Sequence, residues 1–217
     1  MSIFTVPLEQ ILQSDTNLRP GSFYADKIRP SYAAHTLGQV AKIVTSPGST
    51  DELIQRGLPY VDISSIDVEA GLLKDLHTLD SSAPPARARH VAQSGDLLVS
   101  MVRPGRGAVA VVPSSLKQLI VSNAVAVVRP HPSVPVTALW AWLRSVQMQN
   151  WFGAVAPQVV MPRISLGDVH LIPVPKTIPS SIKALDKGIR DLINELATIE
   201  PKSPWTLCHH FRKGLAG

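Results

Sequence analysis

Ser94-Gly95-Asp96-Leu97-Leu98-Val99-Ser100, followed after two residues by Arg103-Pro104-Gly105-Arg106-Gly107-Ala108-Val109-Ala110-Val111-Val112, reads as strand, glycine-containing loop and return strand. Two short apolar runs, Asp96 to Val102 and Ala108 to Val112, are too brief for helices and are bounded by Gly and Pro. The pair predicts a hairpin with Arg103 and Arg106 flanking Pro104-Gly105 at its tip. Working outward, Pro59 to Ile63 and Ile120 to Val128 are further strand candidates, and Leu37 to Val44 is a leading strand or turn. Ser46-Pro47-Gly48-Ser49-Thr50 is a loop by composition, and Ser81-Ser82-Ala83-Pro84-Pro85-Ala86 is a surface loop that delivers Arg87, Arg89 and His90.

From Pro135 to Phe152 the pattern turns helical, with Leu139, Trp142, Leu143, Val146 and Trp151 near helical spacing; Trp140 and Trp142 read as core. Met1 to Pro30 reads as an arm, with Leu8, Ile11 and Leu12 forming a short amphipathic helix. A later stretch is more regular. Ile182, Leu185, Ile189, Leu192, Leu196 and Ile199 alternate three- and four-residue spacings, so every a and d position of nearly three heptads is Ile or Leu. Ser180 or Ser181 can cap this helix and Pro201 ends it. Such a helix is marginal alone and must pack on something. A strict a/d seam is narrower than most core-facing helices, which favours a second helix as the partner; the alternative is its own domain. The expected class is α/β (α+β): an arm over 1–30, an irregular β-rich recognition domain over 31–178, a coiled-coil spacer or dimerisation helix over 179–200 and a tail over 201–217.

The 217 residues, 45% hydrophobic and 17% charged with 19 prolines, suit one loop-rich globular domain with an appendage. Cys208 is the single cysteine, so no internal disulfide is possible; with no secretory signal pattern, a cytoplasmic location is expected. The apolar runs are too short or too interrupted to span a bilayer. The formal net charge of +5 is unevenly placed: between Ser81 and Pro175 there are eight basic residues against Asp96 and Asp168, while the remainder is almost balanced. Seven of those eight are arginine, whose planar fork suits phosphate oxygens and guanine edges. Charge alone is also compatible with a solvated basic face.

Chemistry-bearing constellations are sparse. Asp191, Glu200 and Lys202 are the one tempting nuclease-like set, but Asp191 falls within the heptad helix. No glycine-rich loop follows a strand with an acidic residue at cofactor-binding distance, and His209-His210 beside Cys208 read as a solvated tail. No catalytic residue, metal or cofactor is expected. A small metal-dependent nuclease and a non-DNA-binding adaptor or decoy of a phage-defence system remain the alternatives.

Three stretches together resemble the target-recognition domain of type I restriction-modification specificity subunits. Gly57-Leu58-Pro59-Tyr60-Val61-Asp62-Ile63-Ser64-Ser65-Ile66-Asp67 is similar to that family's early strand. The hairpin quoted first looks like its "GDIL" strand, loop and return strand. Pro157-Gln158-Val159-Val160-Met161-Pro162-Arg163-Ile164-Ser165-Leu166-Gly167-Asp168-Val169, running into Ile172-Pro173-Val174-Pro175, is similar to its closing stretch and "IPlP" exit. Ser122-Asn123 and Arg129-Pro130 also stand where the family places them. The match runs in order from Leu37 to Pro175, and the heptad helix follows where the family has its spacer.

The resemblance implies double-stranded DNA as partner, loops that enter its grooves, and a helix that docks a DNA methyltransferase (modification) subunit, with a restriction subunit as a further partner. Arg87 and Arg89 are expected on phosphates, Arg103 and Arg106 on base edges, Gln158 on adenine and Arg163 on guanine or phosphate, with Ser46, Ser49 and Thr50 as further contacts. Subunits of this family carry two recognition domains and two spacers, whereas each motif occurs once here. A half-subunit that forms a homodimer and reads a bipartite, symmetric site is the expected resolution.

Overall fold

The computed structural model describes residues 33–45, 50–80, 82, 88–156, 159–175 and 187–195. The chain runs through β1 (Ala33–Thr36), α1 (Leu37–Val40), β2 (Ala41–Val44), α2 (Thr50–Gln55), β3 (Pro59–Val61), β4 (His77–Thr78) and β5 (Ala88–Gln93). It continues with β6 (Leu97–Ser100), a 3-10 turn at Pro104–Arg106, β7 (Val109–Val111), β8 (Gln118–Ser122) and β9 (Val125–Pro130). Helices α3 (Val136–Leu143), α4 (Val146–Val155) and α5 (Leu166–Leu171) follow, then β10 (Pro173–Pro175) and α6 (187–195). The expected mixed α/β class is what the structure shows.

Two four-stranded sheets stack on each other. One has the order β2-β9-β6-β7 and is antiparallel throughout; the other, β4-β3-β8-β5, contains the parallel pair β3–β8. The first sheet is the middle layer, which explains why its strands carry no polar alternation. Leu97, Val99, Val109, Val111, Ala126 and Val128 face α3 and α4, while Leu98, Ala110, Val125 and Val127 face Val61, Ala92, Leu119 and Val121 of the second sheet. With period-two geometry, a strand buried on both faces must be apolar at every position. The outer face of the second sheet is covered by α2, where Ile54 meets Tyr60, Ala88 and Ile120.

β1 pairs with β10 and returns the end of the domain to its beginning. Trp140 is 8% exposed and Trp142 half-buried, as the core reading requires. Their indole N–H groups donate to the carbonyls of Gly71 (3.1 Å) and Pro173 (2.7 Å).

Three local expectations are corrected. Ile120 to Val128 is not one strand: the chain turns at Asn123-Ala124, where the Ala124 N–H donates to Ser122 Oγ at 3.3 Å, and β8 and β9 enter different sheets. The helical stretch expected from Pro135 to Phe152 is two helices, because Ser145 caps α4 by accepting from the Met148 N–H. His90 is not on a loop but buried in β5 beside Val121, and Arg89 belongs to the same strand.

Of the six seam positions, Ile189 and Leu192 lie among the described residues; Ile182, Leu185, Leu196 and Ile199 lie outside them, as do residues 1–32 and 196–217. Helix α6 is held by its own domain through Ile193, 2% exposed and one position past the seam, with Ile189 packed beside it. Asn194 Oδ1 accepts from the Ser114 N–H at 2.8 Å, a polar anchor next to that apolar one.

Candidate nucleic-acid interface

The β6–β7 hairpin ends in a constrained tip. Arg103 holds a left-handed backbone, φ 48°, ψ 51°, that is uncommon for a residue with a side chain and requires surrounding contacts to fix it. Backbone contacts supply this: the Arg103 N–H donates to the Pro162 carbonyl (2.7 Å), the Ile164 N–H donates to the Met101 carbonyl (3.0 Å), and Val102 bridges Arg163. Pro104 is buried and Gly105 lies over the Gln149 backbone of α4, so Pro104-Gly105 anchors the turn. The arginines on either side of it are left exposed.

The Met101 N–H donates to the Ala124 carbonyl at 2.9 Å, which brings the β8–β9 turn beside the same tip. Residues 62–68 close the arrangement from the other side. Together they enclose an open cavity of about 760 Å³ bordered by Arg103, Arg106, Arg163, Asn123, Asp62 and Ser64. All three arginines are exposed, and among the described residues none of them forms an ion pair. Beside the cations lies an aliphatic lip, Val159, Val160 and Met161, of which Val160 is 94% exposed. Guanidinium forks suit phosphate and guanine, and aliphatic groups suit the thymine methyl.

Two other arginines of the basic region serve the fold. Arg129 donates to both carboxylate oxygens of buried Asp96. That bonding raises its pKa above the usual arginine value against the opposing effect of burial. Arg144 donates to the carbonyls of Glu69 (2.6 Å) and Gly107 (3.4 Å) and lies over the Trp140 ring at 5.2 Å. Burial pushes its pKa down, with Asp67 partly compensating. It ties the 69–71 segment to the hairpin behind the cavity.

Among the expected contacts, then, Arg103, Arg106 and Arg163 are brought together. Arg87, Gln158, Ser46 and Ser49 lie outside the described residues; Thr50 begins α2 and Arg89 lies in β5, with side chains also outside the description. Asp62, Ser64 and Asn123 were not singled out as contacts. The available signal was Asp62-Ile63-Ser64-Ser65, a pattern for a side-chain-capped turn.

The Asp62 carboxylate accepts from the Ser64 hydroxyl and from the N–H groups of Ser64 (2.8 Å) and Ser65 (3.3 Å). Partial burial pushes the pKa of this carboxyl upward, but those hydrogen bonds and the nearby His77 outweigh it and leave the carboxyl below its ordinary value. Among the described residues no three His, Cys, Asp or Glu side chains are placed to share a metal ion. Asp191 is exposed on α6, while Glu200 and Lys202 lie outside the described residues. No helix among the described residues is long and apolar enough to cross a membrane.

A mixed α/β module with cationic loops around one open cleft is thus the class of protein defined by the fold and the site. No family model matches the chain, and no curated protein matches it. Solved structures do. The HsdS subunit from Thermoanaerobacter tengcongensis superposes with a TM-score of 0.61 at 24% identity, over 75% of this chain and 42% of that one. A chain from a structure on complex assembly and conformational transition of the type I R-M system gives 0.59 at 26% identity, over 72% and 42%. The resemblance to type I specificity subunits read from the motifs is therefore borne out in the fold. The chain spans about two fifths of the length of these relatives.

Proposed function

We propose that this chain is a non-catalytic, cytoplasmic DNA-specificity subunit that directs a type I-like methyltransferase or restriction complex to a short duplex sequence. The observation that carries this is the convergence of Arg103, Arg106 and Arg163, exposed and without ion pairs among the described residues, on one cleft of a specificity-subunit fold. Cations on phosphates supply most of the affinity, and polar groups at base edges supply the preference. Arg87, Arg89, Gln158, Ser46, Ser49 and Thr50 are further DNA contacts in this reading.

The shared fold with subunits of type I systems supports a methyltransferase subunit, and a restriction subunit with it, as partners. The a/d spacing of Ile182, Leu185, Ile189, Leu192, Leu196 and Ile199 supports a second helix as partner, and with it a homodimer that reads two half-sites. The docking of α6 through Ile193 leaves the Leu192 edge only half-buried, which is where that pairing would occur.

The test is co-purification with a methyltransferase subunit and mapping of methylated sites, together with duplex binding at rising salt. A split, symmetric motif and affinity that falls steeply with salt are expected. Salt-independent or absent DNA binding, with a protein partner still bound, would replace this reading by that of an adaptor.

A further inference from the structure

The cleft is not uniformly cationic. Opposite the arginines, the turn after β3 presents Asp62, half-buried, and Ser64 to the same cavity. Every hydrogen bond to the Asp62 carboxylate within the turn goes to one oxygen, Oδ1; Oδ2 accepts none among the described residues. A carboxylate whose role was to neutralise the cleft would sit within ion-pair distance of an arginine. Asp62 pairs with none of the three among the described residues, although all four side chains border one cavity.

Resting on the DNA-reading function proposed above, we infer that Asp62 is a specificity-determining residue whose free carboxylate oxygen accepts a hydrogen bond from the exocyclic amino group of a cytosine. The charge of the wall decides between backbone and base. A carboxylate repels phosphate, so a duplex in the cleft lays its backbone toward the arginine side and turns a base edge toward Asp62. In the major groove the amino donors are cytosine N4 and adenine N6. The N6 group stands beside the N7 lone pair, which opposes a carboxylate; the N4 group has no neighbouring acceptor on its own base edge. The turn is also prepared in advance, since the hydroxyl and N–H groups of Ser64 and the N–H of Ser65 fix the carboxylate and favour its ionised form.

The experiment is selection from a randomised duplex pool by the full chain and by two variants, Asp62→Asn and Asp67→Asn. Asp67 is the matched control. It caps the next turn by accepting from the Glu69 and Ala70 N–H groups and does not border the cavity. Asp62→Asn keeps an oxygen for the turn but removes the charge and presents an amide.

Wild type should enrich a motif containing a cytosine that Asp62→Asn ceases to prefer, a drop of about tenfold at that position. The other positions and the salt slope should be kept, and Asp67→Asn should select the wild-type motif. Retention of the full motif by Asp62→Asn would overturn the inference, as would loss at an adenine position. So would uniform weakening accompanied by a lower melting temperature, since Asp62 would then only brace the turn. Failure of the wild type to enrich any sequence is a separate result, and it sinks the DNA-reading function itself.

Discussion

Arg129 and Asp96, 33 residues apart in sequence, form a two-pronged pair in which Nε and an Nη each reach a carboxylate oxygen at 2.8 Å. The Asp96 side chain is 1% exposed and that of Arg129 34%. The carboxylate also accepts from the Gln93 N–H, closing the turn between β5 and β6. This pair lies at the end of β6 and β9 away from the cleft, so its charge is spent on the fold.

Removing the cation should therefore be worse than removing the anion. Arg129→Met strands a buried carboxylate and should cost about 3 kcal/mol in urea unfolding. Asp96→Asn leaves a partly hydrated arginine and should cost less. Neither change should alter the salt slope of DNA binding.

Arg103→Ala, Arg106→Ala and Arg163→Ala should each leave stability nearly unchanged, because the side chains are exposed. Each should reduce the slope of log affinity against log salt by roughly one if its guanidinium meets a phosphate. Arg103→Ala should in addition shift sequence preference, read from selection on duplex pools. A slope unchanged in all three variants would remove the cleft from the interface.

Gly71 combines a positive φ of 68° with a Cβ direction 2.5 Å from Arg144 Nη1, and its carbonyl accepts from the Trp140 indole. Gly71→Ala should cost about 2 kcal/mol through backbone strain and displacement of that guanidinium. The Tm should fall by roughly 5 °C, measured by thermal melting.

The attachment of α6 separates two surfaces of one helix. Ile193→Ala should destabilise the chain by roughly 2 to 4 kcal/mol and speed hydrogen exchange across 187–195. Leu192→Ala should cost less than about 1 kcal/mol in the isolated chain and weaken self-association in sedimentation. The opposite ranking would mean that the seam belongs to the domain.

Asp62 and Asp67 both titrate below their ordinary value of 3.8. At Asp67 burial raises the pKa, but the Ala70 N–H, Lys74 and the Glu69 N–H together lower it further. A group whose folded value is depressed contributes stability that is complete above its unfolded value and fades as pH falls through the folded one. Stability should thus decline below about pH 4, and the double variant Asp62→Asn, Asp67→Asn should show a shallower decline in urea titrations across that range.

The hairpin was legible in the sequence because Gly95 and Pro104-Gly105 punctuate runs of strand length. Arg103 and Arg106 followed from their place at its tip, and Arg163 from the closing stretch of the resemblance. What failed has a common cause in long-range contacts. The run Ile120 to Val128 reads as one strand because middle-layer burial erases the polar alternation that would mark a change of sheet. Arg129 and Arg144 read as surface cations because their partners, Asp96 and the carbonyls near Gly71, are distant in sequence. Likewise the heptad spacing reports which α6 positions are apolar, while the choice of Ile193 as anchor depends on the core cluster it joins, whose members are distant in sequence. Asp62 escaped notice because it lies outside the basic region, among Asp51, Glu52, Asp67, Glu69 and Asp75, and nothing local in sequence ties it to the arginines of the hairpin tip.

The chain crosses between the two four-stranded sheets four times, and two of these crossings, after β5 at Ser94-Gly95 and after β8 at Asn123-Ala124, sit at opposite ends of the paired strands β5 and β8. Two layers tethered at both ends and packed through one apolar cluster resist shearing and hinging apart. Whatever docks in the cleft therefore meets a mould already set, so differences in grip between partners should surface in how long they stay rather than in how fast they arrive.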